Sequence, residues 1–428
     1  MSVLGSAARG SAAIARRSFL KSIGWLQLKR PQPQMPNGFG INVVDFGATP
    51  NAPGDDTAAI QGAIDAAAAA GGGVVFFPPG TYHASQLQLR KRIVLLGQGW
   101  ATRIVQNGGT SGSLIVLADP FVDQTIVRDL ILDGNKAHQT TNNHGLYYYN
   151  KGGSFGIGNA RHLVQNVLVN NFSGSGVTLH TAAGESRVEN VTSRLNDEYG
   201  FDFLTYGATD CWFVSCTAQG SGRSGFHCAS WATRYIGCKS FGNGRLRTLG
   251  DSSGYLIDHP YQYFAACDAQ ENAEHGFHLE KTNNCILTGC AAVSNAHTGF
   301  LLNRSTAVVL QGCNVAHIAL PSGLRHVCGI DVRNDSMNNM VTATVTGVSD
   351  AVMAPNAQLV GNRIVLNTQD LGALHNAPGV AIWGGAAARP AVVTSEPASK
   401  PGRVARRLPI YDGAGALLGY IPIYRSIE

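Results

Sequence analysis

Five cysteines recur at one position of a repeated phrase: Cys216, Cys238, Cys267, Cys290 and Cys313, with gaps of 22, 29, 23 and 23 residues. Three residues before each stands a large apolar residue (Phe213, Tyr235, Phe264, Leu287, Leu310). One residue before stands a small one (Ser215, Gly237, Ala266, Gly289, Gly312), and two after comes another short one (Ala218, Ser240, Ala269, Ala292, Val315). A period of twenty-odd residues is the mark of a solenoid, a propeller or an array. The gaps are too long and too even for a zinc clip, and no Cys-x-x-Cys occurs. Eight of the nine cysteines fit inward positions of the repeat, where a free thiol packs as a small hydrophobe; Cys328 does not fit. Neighbouring coils would also bring thiols close together, so disulfides stay open as an alternative.

A second phrase keeps the same period. It reads glycine, apolar, any, apolar, at Gly176, Gly200, Gly225, Gly254, Gly276, Gly299 and Gly329. Alternation with period two predicts a short strand with one buried face. Asn196, Asn272 and Asn295 each stand four residues before one of these glycines, and asparagine tolerates the left-handed backbone of a tight corner. No repeat holds a helix-length apolar stripe. Strands and corners alone make a β-solenoid, whose coils bury their inner faces only by stacking. The class expected from the repeat is all-β, a solenoid of stacked coils.

Composition agrees. Fifty-two glycines suit a corner-rich chain, and 14% charged residues is too few for disorder. The net charge of +5 is mild and forms no basic stripe interleaved with aromatics, so nucleic acid is not an expected partner. No apolar run reaches membrane-spanning length. Ala15 to Lys21, with Arg16-Arg17, looks like a twin-arginine export signal, but the apolar segment after it is short and no small-residue cleavage site follows. Residues 1–40 are therefore either a targeting segment or an arm that docks on a partner.

Residues 41 to 105 differ from the repeat. Asp55-Asp56-Thr57 can cap a helix over Ala58 to Ala70, which Gly71-Gly72-Gly73 stops. Val74 to Tyr82 and Ile93 to Leu96 read as strands. Such a helix would cover the open edge of the first coil. Asp45-Phe46-Gly47-Ala48, Asp55 to Gln61, Phe77-Pro78-Pro79-Gly80-Thr81-Tyr82 and Leu132-Asp133-Gly134-Asn135 resemble the pectate lyase superfamily in its rhamnogalacturonase and epimerase-like branch. The resemblance implies a right-handed parallel β-helix that acts on polysaccharides, with the cap aspartates structural; it does not imply one reaction. Tyr199-Gly200-Phe201-Asp202 is similar to the catalytic motif of mannuronan epimerases, which continues Pro-His where this chain has Phe203-Leu204. That family also carries an aspartate before the next Gly-Phe, where this chain has Ser224.

Outward positions of the glycine-led strands form two columns. One runs Thr178, Asp202, His227, Leu256, His278, Leu301, Asp331; the other His180, Leu204, Ala229, Asp258, Glu280, Asn303, Arg333. Coils stack at about 4.8 Å, which makes Asp202 a neighbour of His227 and Asp258 a neighbour of Glu280. Two carboxylates that close should raise one pKa, as suits the acid and nucleophile of a retaining glycosidase. His227 and His278 could serve as acid or base near neutral pH. A β-elimination would need a base and something to neutralise the sugar carboxylate, a metal or Arg333. Expected catalytic residues are Asp202, His227, Asp258, His278 and Glu280. Expected substrate contacts are Tyr199, His180, Asp331 and Arg333, with Arg245, Arg247 and Arg325 from two longer coils. No cofactor is required. Calcium stays open where carboxylates cluster, though no Asp-x-Asp-x-Asp loop supports it.

After about residue 370 the repeat fades. The expected organisation is an arm at 1–40, the β-helix at 41–380, a linker at 381–406 and a β-hairpin at 407–428 around Asp412-Gly413. The hairpin looks like short terminal modules of bacteriophage tail and virion proteins. The leading expectation is a polysaccharide-binding and polysaccharide-degrading β-helix (glycosidase or lyase), as in a phage tail spike, with other tail proteins as partners. By analogy with spikes, a homotrimer belongs to this reading. The alternatives are a catalytically silent virion or receptor-binding protein, and a secreted bacterial enzyme acting on pectin or alginate.

Overall fold

A computed structural model describes residues 40–368, apart from 120, 150–160, 181–183, 204–208, 248–250, 319–326 and 354–360, and the strands at 380–383, 391–392, 404–411 and 417–424. The twin-arginine segment, Leu204, Arg325 and the 412–416 turn lie outside the described residues.

Each coil of the right-handed parallel β-helix contributes short strands to three parallel ladders. The first passes through Arg187–Glu189, Trp212–Val214, Arg234–Ile236, Tyr263–Ala265 and Ile286–Thr288. The second passes through Thr192–Arg194, Thr217–Gln219, Lys239–Phe241, Asp268–Gln270 and Ala291–Val293. The third is an 11-stranded sheet that includes Val177–Leu179, Phe201–Phe203, Phe226–Cys228, Tyr255–Ile257, Phe277–Glu280, Thr298–Asn303 and Cys328–Arg333. A helix over Thr57–Ala69 buries Ile60, Ala63, Ile64 and Ala67 against the first coils. Asp56 of the cap is structural: it accepts from the amides of Thr49 (2.8 Å) and His83 (3.1 Å).

The apolar residue after each glycine stacks on its counterpart in the next coil. Ring centroids of Phe201, Phe226, Tyr255, Phe277 and Phe300 lie 4.7, 4.8, 4.6 and 4.8 Å apart, close to the inter-strand spacing. Stacked rings each add about 0.5–1.5 kcal/mol beyond their burial. The glycines recur because nothing larger fits: a Cβ on Gly254 or Gly276 would lie 2.6 or 2.7 Å from the next coil's glycine carbonyl. The small residue before each cysteine turns a corner with positive φ, from 51° at Ala266 to 61° at Gly289 and Gly312.

Two expectations need correction. All nine cysteines are buried thiols outside any disulfide, Cys328 among them. Its place in the third ladder, paired with Thr298 and Asp350, falls outside the repeated cysteine phrase but still inside the core. The asparagines are not the left-handed residues. That conformation belongs to the residue before them (Leu195, Glu271 and Ser294, φ 55°, 53° and 50°). The asparagines instead point inward as an amide ladder. Asn272 Nδ2 donates to Asn295 Oδ1 at 2.8 Å, and Asn243 Nδ2 donates to Asn272 Oδ1 at 3.0 Å, which satisfies buried corners that no strand reaches.

Beyond residue 370, Val380–Trp383 adds to the parallel ladder beside Arg363–Thr368. Val404–Tyr411 and Leu417–Tyr424 form an antiparallel hairpin that begins three residues ahead of the expected start at 407.

Candidate functional site

The third ladder sets the outer column in the expected register: Asp202 beside His227, then Leu256, His278, Leu301 and Asp331. His227 is clamped. Its Nδ1 lies 2.9 Å from Asp202 Oδ1 and its Nε2 lies 3.2 Å from Asp258 Oδ2. Burial alone would lower its pKa, but the hydrogen bonds and charges of Asp202 and Asp258 outweigh burial and push it up to about 10. His227 is therefore a fixed imidazolium with both nitrogens engaged, not the near-neutral acid or base expected.

Asp258 departs from expectation in the opposite sense. Burial would raise its pKa, yet the hydrogen bond from His227 and the imidazole of the adjacent His259, 3.5 Å away, hold the carboxyl well below the usual range. Glu280 is engaged elsewhere: Asn303 Nδ2 donates to it at 2.5 Å and Arg304 pairs with it. A proton-sharing pair of Asp258 and Glu280, as in a retaining glycosidase, is not what the site holds.

Above His227 the Tyr199 ring stacks at 4.8 Å between centroids. The Tyr199 hydroxyl donates to Asp251 Oδ2 at 2.6 Å and accepts from Arg223 Nη1 at 3.1 Å. The guanidinium of Arg223 also lies 5.3 Å from the Tyr199 ring centroid. Ser224 Oγ donates to Asp251 Oδ1 at 3.1 Å. Burial and the Asp251 charge push the Tyr199 phenol pKa up, and burial raises the carboxyls of Asp251 and Glu198. Ser224 stands where the epimerase motif has an aspartate, and the carboxylate it holds comes from the next coil, as Asp251. An imidazole also stands one coil on from Asp202, as His227.

His144 and His180 lie on the preceding coils. His144 Nδ1 accepts from the Ser175 amide at 2.9 Å, so in the neutral ring Nε2 carries the proton. Burial lowers the pKa of both histidines. His180 packs edge-on against Tyr149 at 4.4 Å. Beside the cluster, Glu198, Arg223, Asp197, Asn142, Ser173 and Leu246 line an open cavity of about 480 Å³.

The remaining expected residues divide. Arg245 directs its guanidinium to the carbonyls of Gly220 and Asn196 and lies 3.5 Å from Asp197, so it braces two coils. Arg247 is exposed, with φ 51°. Arg333 pairs with Asp331. His278 lies 3.4 Å from Glu280, two coils from His227. Among the described residues, no group of three or more His, Cys, Asp or Glu is arranged to hold a metal.

Sequence reasoning missed Arg223, Asp251, Glu198 and His144. All stand in the corner just before the glycine of a third-ladder strand. Glu198 and Arg223 come two residues before their glycine, Asp251 three and His144 one. Polar residues at that offset were the available signal, outside the strand positions that the columns considered.

Residues 40–244 match the sequence model of "Rhamnogalacturonase A/epimerase, pectate lyase-like", and residues 204–346 that of the right-handed β-helix region. Mannuronan C5-epimerase AlgE3 of Azotobacter vinelandii is 27% identical over 261 residues, which cover 57% of this chain and 14% of that protein. The chain thus spans a small part of that relative's length. The A-module of the same organism's mannuronan C-5 epimerase AlgE4 superposes with a TM-score of 0.67 at 21% identity, covering 80% of this chain and all of the module. Tailspike protein 2 of an Escherichia coli O157:H7 bacteriophage superposes with a TM-score of 0.62 at 17% identity, covering 73% of this chain and 43% of the spike. Both superpositions are likenesses of fold.

Proposed function

We propose that this pectate-lyase-like right-handed parallel β-helix binds a uronate-containing polysaccharide along the outer face of its third ladder and acts on it by proton transfer at C5 of one sugar. The observation that carries the reading is the Tyr199–Asp251–Arg223 triangle stacked on the imidazolium of His227. Tyr199 and Asp202 belong to the motif similar to that of mannuronan epimerases, and the two groups this chain lacks at motif positions have counterparts one coil away.

Removing a proton beside a carboxylate builds negative charge on the sugar acid. Arg223, whose side chain is 37% exposed, and the fixed charge of His227, both beside the phenol, oppose that charge. Tyr199 is the proton carrier. Asp251, its carboxyl pKa raised by burial and its Oδ2 2.6 Å from the phenol, exchanges that proton with it. Asp202 and Asp258 hold the imidazole in place. A polymer of this kind is met outside the cell, whether the chain is secreted or carried on a phage tail.

The test is incubation in heavy water with mannuronan, polygalacturonate and a neutral glycan. Deuterium at C5 in intact chains marks epimerisation; unsaturated uronate absorbance, with the C5 hydrogen lost to solvent and not replaced, marks β-elimination. New reducing ends without either signal mean hydrolysis and end this reading, as does inertness towards every uronan.

A further inference from the structure

A second polar patch lies on the same column, beyond Leu256. It gathers His275, His278, Glu280, Asp331 and Arg333, with ring centroids of His275 and His278 5.2 Å apart and those of His275 and His297 5.6 Å apart. His275 and His278 are only 8% and 6% exposed. Yet His275 Nδ1, both ring nitrogens of His278, Asp331 Oδ1 and Arg333 Nε are buried without a hydrogen-bond partner. Nε2 of His278 lies 3.4 Å from Glu280 Oε2 but is not aligned for a bond. Buried polar atoms are costly unless water or a ligand satisfies them, and five in one patch are far more than a settled surface leaves.

We propose that this patch is a second sugar subsite, which takes the hydroxyl groups of a pyranose two coils away from Tyr199. It rests on the polysaccharide binding of the reading above but not on its chemistry. The chemistry of the patch selects the ligand. Burial lowers the pKa of both imidazoles, so each is neutral and offers one N–H and one lone pair. A hydroxyl, which both donates and accepts, fits that pairing better than an anion does. The carboxylates Glu280 and Asp331 are each held by an arginine, Arg304 and Arg333, which leaves no unopposed cation for a phosphate or sulfate. Among the described residues these donors are not grouped to hold a metal. Leu256 and Leu301 flank His278 in the column and, buried themselves, offer its ring no polar partner. From His227 to His278 is two coil steps, roughly 10 Å at the inter-strand spacing, farther than one step between neighbouring sugars of an extended polymer, so a disaccharide does not fill both subsites and a longer chain does.

His278→Leu tests this, because it continues the leucines on either side and removes atoms without partners. Binding is measured with mannuronan and polygalacturonate oligosaccharides, as disaccharides and as hexasaccharides, beside the thermal midpoint. The expected result is a midpoint no lower than the parent's, disaccharide affinity unchanged, and hexasaccharide affinity weaker by about ten- to a hundredfold. Arg333→Gln, a half-exposed site, should weaken hexasaccharide binding in the same selective way. Equal hexasaccharide binding in both variants, equal loss for both lengths, or binding of no oligosaccharide by the parent overturns the proposal. So does a His278→Leu chain that fails to fold, since that would mean the ring makes bonds the fold needs. Loss of C5 exchange with the length-dependent effect intact would remove the proposed chemistry and leave the subsite standing.

Discussion

Two histidines hold equivalent places in one column, two coils apart, and their surroundings are opposite. Both nitrogens of His227 are bonded to carboxylates, and its charge is held to about pH 10. Neither nitrogen of His278 has a hydrogen-bond partner, and burial lowers its pKa. Neighbours in the adjoining coils account for the contrast: Asp202 and Asp258 reach His227, while Leu256 and Leu301 border His278 on the ladder. A site whose charges are already paired is organised ahead of any reaction. One whose polar atoms stand open is organised to receive a ligand. The contrast teaches that column position alone does not assign a role on a solenoid wall; satisfaction of the side chain does.

The largest expected effect falls on the paired site. Tyr199→Phe keeps the ring stacked on His227 and removes the proton carrier, so C5 exchange should drop about 10²- to 10⁴-fold with the thermal midpoint little changed. Full exchange in this variant would move the chemistry elsewhere. Next comes His227→Gln, which leaves two carboxylates without their cation and should cost roughly 3 kcal/mol in denaturant unfolding.

The pH dependence has a definite sign. The folded pKa of His227 lies above its ordinary value of 6.5, so its contribution to stability is complete below about 6.5 and disappears as pH climbs through about 10. The parent should lose stability across that window, and His227→Gln should flatten the slope; a slope that survives the substitution assigns it to other groups. The smallest effect belongs to the open patch. Glu280→Gln loosens a pair with the half-exposed Arg304 and should cost under about 1 kcal/mol. A cost equal to that of His227→Gln would erase the contrast between the two regions.

Much of the wall was readable in advance. Asp202 beside His227 follows from the glycine register, since equal spacing puts equivalent positions on one ladder. The diagonal bond from His227 to Asp258 does not follow, because it depends on where two side chains point. Asp251 was harder still. It is 49 residues after Asp202 in the chain and meets Tyr199 only because a coil intervenes and Ser224 holds the carboxylate. The asparagines were recognised as corner residues but given the wrong task, since a left-handed φ and an inward amide both favour the same residue type.

What the amino-acid order determined by itself was the periodic part: strand, corner and inward stack. Those depend on local φ and ψ and on a buried face that must match its neighbour in every coil, so the constraint repeats and shows in the letters. Only the folded chain decided which polar groups meet. That choice turns on contacts between coils, made once each, where burial and partner charge set whether an imidazole is a fixed cation or an open neutral ring.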